Sequence, residues 1–379
     1  MHIEPFGVEM WMDEWETRCE LNLAETCVRS LTIAELLHLT DRSPDALHEL
    51  LDLKLTYGDI TGSPRLRTAI AALYTDRSPD DVVLTHGTIG ANMLVHRAMV
   101  SPGDRVIAVV PTYQQHYSIP ESIGADVHQL WLRPEQQWLP DLDELRRLTA
   151  EGARMIALTN PNNPTGALIE QPMLEEIAQI ADDAGAWVLG DEVYRGTDET
   201  GGGSTASIID VYERGISTAS MSKAYSLAGL RLGWVAAPPS VIEAVTVHRD
   251  YDTISVGMID DYFACLALEH GETLLERSRA LTERNRAILD DWIANEPRIS
   301  WIRPKSGTTA LLKYDLDVAS RDLCVELLES KSVMFCPGSA LGIEGCLRIG
   351  YANDTEVLVE GLARFGEFLA GHSSVRAAT

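Results

Sequence analysis

Through the middle of the chain, short runs that are apolar at nearly every position alternate with longer stretches that are apolar on one side only. Residues 81–85 read as a strand and 91–100 as a helix; 105–110 are apolar and rich in β-branched residues, and 125–131 form a weaker strand. Residues 141–149 put Leu142, Leu145 and Leu148 on one helical face, followed by a strand at 154–158, a helix at 170–184 and a strand at 186–189. Strands apolar on both faces, separated by amphipathic helices, imply a largely parallel, doubly wound sheet covered by helices. From about Thr282 the pattern changes to a long helix through Asn295, a strand, a helix at 321–330, another strand and a terminal helix. That order reads as a smaller α+β lobe. The expected organisation is an N-terminal arm at 1–45 that joins the small domain, a large α/β domain at 46–281 and the small domain at 282–379. The first forty residues are acidic and rich in Trp and Met, and read as an arm rather than a sheet strand.

Composition narrows the function classes. With 379 residues, two lobes are expected, and 45% hydrophobic against 23% charged residues is the balance of a folded globular chain. A formal charge of −26 disfavours nucleic acid and anionic membrane surfaces as partners. Only five lysines occur (Lys54, Lys223, Lys305, Lys313 and Lys331), so a lysine inside a strong motif stands out. The six cysteines lack any C-x-x-C pair, which argues against zinc or redox-motif spacing and against a disulfide framework. Met1 to Pro5 has no basic or apolar leader character, and no apolar run approaches the roughly 18–20 residues needed to span a bilayer. A cytoplasmic location is expected. Gly201, Gly202 and Gly203 read as a short flexible loop.

Four segments carry chemistry. Ser220-Met221-Ser222-Lys223 is followed by Gly229, Arg231, Gly233 and Trp234. A lysine that forms an imine needs a lowered pKa, from burial or a neighbouring cation. The serine hydroxyls and Arg231 suit a phosphate. Thr159-Asn160-Pro161-Asn162-Asn163-Pro164-Thr165-Gly166 forms a rigid loop at a strand's carboxyl end, where open α/β sheets bind ligands, with amides able to reach an aromatic oxygen. Gly190-Asp191-Glu192-Val193-Tyr194 offers a carboxylate for a protonated ring nitrogen and a phenol for a ring hydroxyl, although Asp-Glu after a strand often only caps a helix. The stretch from Leu84 to Asn92 is a strand, a glycine turn and a helix start whose free N–H groups would cradle a phosphate. It lacks G-x-G-x-x-G, which disfavours a nicotinamide dinucleotide. Tyr113 follows the next strand, where its ring could stack on a planar group.

Together these segments resemble the class I/II aminotransferase family, fold-type-I enzymes that use pyridoxal 5′-phosphate (PLP), from about Tyr57 to Tyr351. The resemblance implies a PLP-dependent transferase fold with a large and a small domain. It implies that Lys223 binds the cofactor covalently and moves the Cα proton, that Asp191 pairs with the ring nitrogen, and that Asn163 and Tyr194 reach the ring oxygen while Tyr113 stacks on the ring. Gly87, Thr88, Ser220, Ser222 and Arg231 would surround the phosphate. Tyr57 resembles the tyrosine that reaches the partner subunit's phosphate, implying a homodimer with shared sites, and Arg348 resembles the arginine that clamps the substrate α-carboxylate. The reaction so implied exchanges the amino group of an amino acid with a 2-oxo acid.

The stretch from Glu20 to Val28 lacks the glycine-proline turn of ordinary members, and the arm is strongly acidic. It looks similar to the amino-terminal segments of arginine-processing relatives, capreomycidine synthase and the PLP-dependent arginine oxidases. That similarity implies an alternative: a cyclase, lyase or oxidase acting on arginine or a hydroxyarginine. Glu25 facing the pocket would suit a guanidinium or ammonium side chain. On charge alone, the same residue reads as part of a solvated face. No second arginine motif for an ω-carboxylate stands out, which disfavours a dicarboxylate substrate, and no metal site is expected.

Overall fold

The computed structural model describes residues 2–198 and 205–371, so the triple-glycine segment lies outside the described residues. Its thirteen strands are β1 (Leu21–Asn22), β2 (Val82–His86), β3 (Arg105–Val110), β4 (Asp126–Trp131), β5 (Met155–Thr159), β6 (Trp187–Asp191), β7 (Gly215–Ser220), β8 (Leu232–Ala236), β9 (Ile299–Trp301), β10 (Thr309–Tyr314), β11 (Val333–Met334), β12 (Cys336–Pro337) and β13 (Cys346–Gly350). Seven of them form a sheet in the order β2-β8-β7-β6-β5-β3-β4. The pairs from β4 through β7 are parallel, and β8 is antiparallel to both neighbours. β5 and β7 are buried at every position, as strands with helices on both faces must be. The two faces pack separate apolar clusters, one around Leu84, Ile107 and Ile156 and one around Val83, Val106 and Ala157.

A second, antiparallel sheet runs β12-β13-β10-β9, with Arg348 midway along β13 opposite Leu311 of β10. The long helix spans Gly271–Asn295 and so begins before the expected Thr282, because Leu274, Leu275 and Ser278 are already buried on its packed face.

The arm departs from expectation. Leu21 and Asn22 form β1, pairing in parallel with Val333 and Met334 of β11. The chain continues that edge as Leu23 N donates to the Met334 carbonyl and Gly350 N to the Leu23 carbonyl. Only glycine permits this course, since a Cβ at position 350 would stand 1.7 Å from the Glu25 carbonyl oxygen. Ahead of β1, the helix Gly7–Trp15 is held by Trp11, whose Nε1 donates to the Phe335 carbonyl, and by Gly7 N, which donates to Gln114 Oε1.

Candidate active site

The parallel strands deliver their following residues to one edge of the large sheet. β3 is followed by Tyr113, β5 by the Asn160–Gly166 loop, β6 ends on Asp191 and β7 leads into Ser222 and Lys223. Asp191 therefore closes a strand and caps no helix, while the adjacent Glu192 is spent on Ser207, Ser217 and the Ile208 amide. Around this edge lies a cavity of about 350 Å³ lined by Thr88, Tyr113, Asn163, Asp191, Tyr194, Ser220, Ser222, Lys223, Arg231 and Arg348. The arm closes it with Glu9, Met12, Glu16, Glu25, Thr26 and Cys27. Arm and sheet edge thus share one chamber.

Lys223 Nζ donates to Thr26 Oγ1 at 2.6 Å, lies 3.3 Å from Cys27 Sγ and 3.9 Å from Glu25 Oε1. The expected lowering of its pKa is reversed. Burial does press it downward, but the Cys27, Tyr194 and Glu25 side chains outweigh burial and hold it above its ordinary value. Burial lifts the Cys27 thiol to about 11 and also raises the Tyr194 phenol. At neutral pH both are uncharged, which leaves Glu25 as the anion of the three that holds the ammonium. Burial raises the Glu25 carboxyl, yet Lys223 and the Thr26 and Cys27 amides that donate to Oε1 bring it below its ordinary value. Glu25 is therefore part of the cavity wall, not a solvated face.

Arg348 is 3% exposed and, among the described residues, makes no ion pair with a carboxylate. Its Nη1 contacts Asn163 Oδ1 at 3.3 Å, its Nη2 donates to the Ala24 carbonyl at 3.0 Å, and its buried Nε has no hydrogen-bond partner. A guanidinium held by neutral groups in a cavity is an anion receptor. Because Asn163 turns its oxygen to Arg348, its amide nitrogen is left for a ligand. The other two asparagines of the loop are spent internally: Asn160 pairs with the Ile169 backbone, and Asn162 binds Thr165 and the Pro111 carbonyl.

A second anion receptor lies at the start of the helix Gly87–Met99, whose first turn has no side-chain cap. Gly87 has φ +64°, and a Cβ there would come within 2.9 Å of Arg231 Nη2. A Cβ at Gly233 would meet the Gly87–Thr88 backbone at 2.4 Å. Thr88 Oγ1 is buried without a partner. With Ser220 and Ser222 on the same cavity wall, this cradle fits a phosphate. Asp191 lies deeper, as a buried carboxylate receiving Asn92 Nδ2 at 2.9 Å. The chamber thus offers an amine, a buried carboxylate and two anion receptors, which is the donor set PLP and an amino acid require.

Tyr113 lines the cavity with its phenol donating to Glu9 at 2.6 Å and its ring 4.6 Å from Phe6. Tyr57 stands apart, 66% exposed, on a different hollow with Met258 and Tyr262. Sequence reasoning passed over Thr26, Cys27, Glu9 and Glu16 as pocket residues. Among the described residues, no group of three or more His, Cys, Asp or Glu is arranged to hold a metal ion, and no helix is long and apolar enough to cross a membrane.

The profile of the family described as aminotransferase class I and II matches residues 34–365. Capreomycidine synthase of Streptomyces vinaceus is 30% identical over 370 residues, covering 97% of this chain and 95% of that protein. The structure of a PLP-dependent aminotransferase from Streptococcus suis 89-1591 superposes with a TM-score of 0.95 at 41% identity, covering 99% of this chain and 100% of that one. The PLP-dependent cyclase OrfR superposes with a TM-score of 0.91 at 25% identity, covering 98% and 99% of the two chains.

Proposed function

The chain belongs to the aminotransferase class I and II family and is a PLP-dependent enzyme, and from that premise we propose how its own residues carry an amino acid through the exchange of its amino group for the oxo group of a 2-oxo acid. The bound cofactor supplies a carbonyl that condenses with amines and an electron-withdrawing ring that stabilises negative charge at Cα. Lys223 Nζ would hold the cofactor and, once displaced by the incoming amino group, would move the Cα proton as a free amine. Asp191 would hold the ring nitrogen, Asn163 Nδ2 and the Tyr194 phenol the ring oxygen, and Tyr113 would cover the ring face. Thr88, Ser220, Ser222 and Arg231 would hold the phosphate. Arg348 fixes the α-carboxylate, so that the Cα–H bond is presented to Lys223.

The observation that carries the reading is Arg348: buried, unmatched by any carboxylate among the described residues and facing the same cavity as Lys223. The test is to incubate the PLP-loaded protein with single amino acids and a 2-oxo acid and to follow formation of the second amino acid. Conversion with at least one donor is expected. No conversion with any donor overturns transamination.

A second reading is favoured by the three carboxylates Glu9, Glu16 and Glu25 at the same cavity. Burial, followed by repulsion from Glu25, Glu9 and Asp13, raises the pKa of Glu16, a repulsion that a bound cation would relieve. This suits a guanidinium or ammonium side chain, and with it the cyclisation, elimination or oxidation of arginine or a hydroxyarginine. A cationic side chain engaging Glu25 would also loosen its hold on the Lys223 ammonium and free the amine as a base. Product mass separates the outcomes. Loss of water with nitrogen retained marks cyclisation, oxygen consumption marks oxidation, and a 2-oxo acid formed with transfer of nitrogen to the acceptor marks exchange.

The same proposal makes the enzyme a homodimer. Leu51, Leu55, Tyr57 and Tyr251 are exposed, and Ser255 Oγ donates to the Tyr57 carbonyl, joining the two stretches. A second copy seated there would receive Tyr57 at its phosphate site. Six unpaired thiols suit a reducing compartment, and the proposal locates the enzyme in the cytoplasm. It also keeps 46–281 as the cofactor-binding body, with 282–379 and the arm contributing the substrate side.

A further inference from the structure

Asn92 closes the 84–92 segment with no role of its own in the sequence, yet it is fully buried beside Asp191. Its Nδ2 donates to Asp191 Oδ2 at 2.9 Å, and its Oδ1 accepts from Thr218 Oγ1 at 2.7 Å. Chemistry fixes this orientation. Turning the amide over would set its oxygen against a carboxylate oxygen, so Asp191 selects the Nδ2 end, and the Thr218 hydroxyl on β7 holds the opposite end by donating to Oδ1. The other donors to this carboxylate are weaker. The Val193 amide reaches Oδ1 at 3.3 Å, and His116 Nε2 stands 3.5 Å from Oδ2 without hydrogen-bond geometry. A carboxylate 4% exposed needs good donors to satisfy its oxygens and keep it aimed. Asn92 also lies on the helix Gly87–Met99 that opens the phosphate cradle. Thr88 and Asn92 are four residues apart, about 6 Å along the axis, so one rigid element reaches both the cradle and the carboxylate.

We propose that Asn92, held in place by Thr218, is a positioning residue that ties Asp191 to the phosphate-cradle helix and so sets the carboxylate against the cofactor ring nitrogen. The inference rests on the cofactor reading above, and a double-mutant cycle on PLP binding separates the two. Asn92→Ala should weaken PLP binding about 10- to 100-fold, the range of one charge-assisted hydrogen bond, as measured by equilibrium dialysis. In an Asp191→Ala background, the same substitution should change PLP binding by less than about twofold. The pH titration of the cofactor–lysine absorbance of the amino-acid-free holoenzyme should shift in Asn92→Ala and, by less and in the same direction, in Thr218→Val. A purely structural asparagine would not move it.

Equal losses in both backgrounds, or an unmoved affinity and titration, overturn the proposal. Failure of the unaltered protein to bind PLP would instead overturn the reading beneath it. If Asn92→Ala does not fold, Asn92→Ser and Thr218→Val close the same cycle.

Discussion

The floor of the cavity comes from strand ends, its roof from the first twenty-seven residues, and the two carry different charge. Lys223, Arg231 and Arg348 stand on the floor, with Asp191 as its carboxylate; the roof brings Glu9, Glu16 and Glu25 and no cation. The floor is rigid because Asp191 ends β6, Lys223 follows β7, Arg231 directly precedes β8 and Arg348 sits within β13. The roof is held by a two-residue strand, one close approach at Gly350 and hydrogen bonds that include those donated by Trp11 Nε1 and Gly7 N and the one the Thr26 carbonyl accepts from Thr308 Oγ1. On the reading proposed above, a floor of that kind fixes which bond reacts, whereas a roof of that kind selects which side chain is admitted.

The largest expected effect tests the floor. Lys223→Ala should lower turnover by about 10³-fold or more while the circular dichroism spectrum stays that of the parent; retained turnover would remove the amine from the mechanism. Next is Arg348→Lys, which keeps the charge but loses the fork. It should reduce kcat/KM about 10²-fold for donors of every side-chain type, and a loss confined to one type would move Arg348 to the selecting wall.

The roof is tested by Glu25→Gln, which should raise KM for arginine about tenfold more than for alanine. Equal changes for both would return selection to the floor. The smallest effect is the acid response. Glu25 has a depressed folded pKa, so its contribution is present above the ordinary carboxylate value of 4.5 and is lost as pH falls below it through the folded value. Amide exchange at Thr26 and Cys27, corrected for intrinsic rate, should therefore quicken below that pH while β5 and β6 stay protected. Exchange that rises in both regions together would mean that floor and roof open as one unit.

The same contrast explains what the sequence revealed. The floor was legible because its groups sit in contiguous motifs directly after apolar runs: a strand ending at Thr159 and the loop behind it, a strand ending at Asp191, a strand leading to Lys223. Their side chains converge by the rule that parallel strands present their carboxyl ends together. The roof was not. Thr26 and Lys223 are 197 residues apart and meet only through tertiary packing. β1 is too short to leave a periodic signal, and Glu9 and Glu16 carried none in a chain already rich in acids. Asn92 was hidden for another reason, because its partners Asp191 and Thr218 lie on different strands. The sign of the Lys223 shift likewise depended on neighbours that the motif did not contain.

Trp11, the fully buried pin of the first helix, has an optical consequence. Its indole is 5.9 Å from that of Trp15 and 5.2 Å from the Arg321 guanidinium, shielded from solvent on the arm's inner side. Lifting the helix would expose that ring, and its emission would move to longer wavelength. Subtracting the fluorescence of a Trp11→Phe protein isolates the signal from the other indoles. The protein thus carries an intrinsic chromophore on the element that covers its chamber, so any lifting of that helix can be timed in a stopped-flow fluorimeter without an added label.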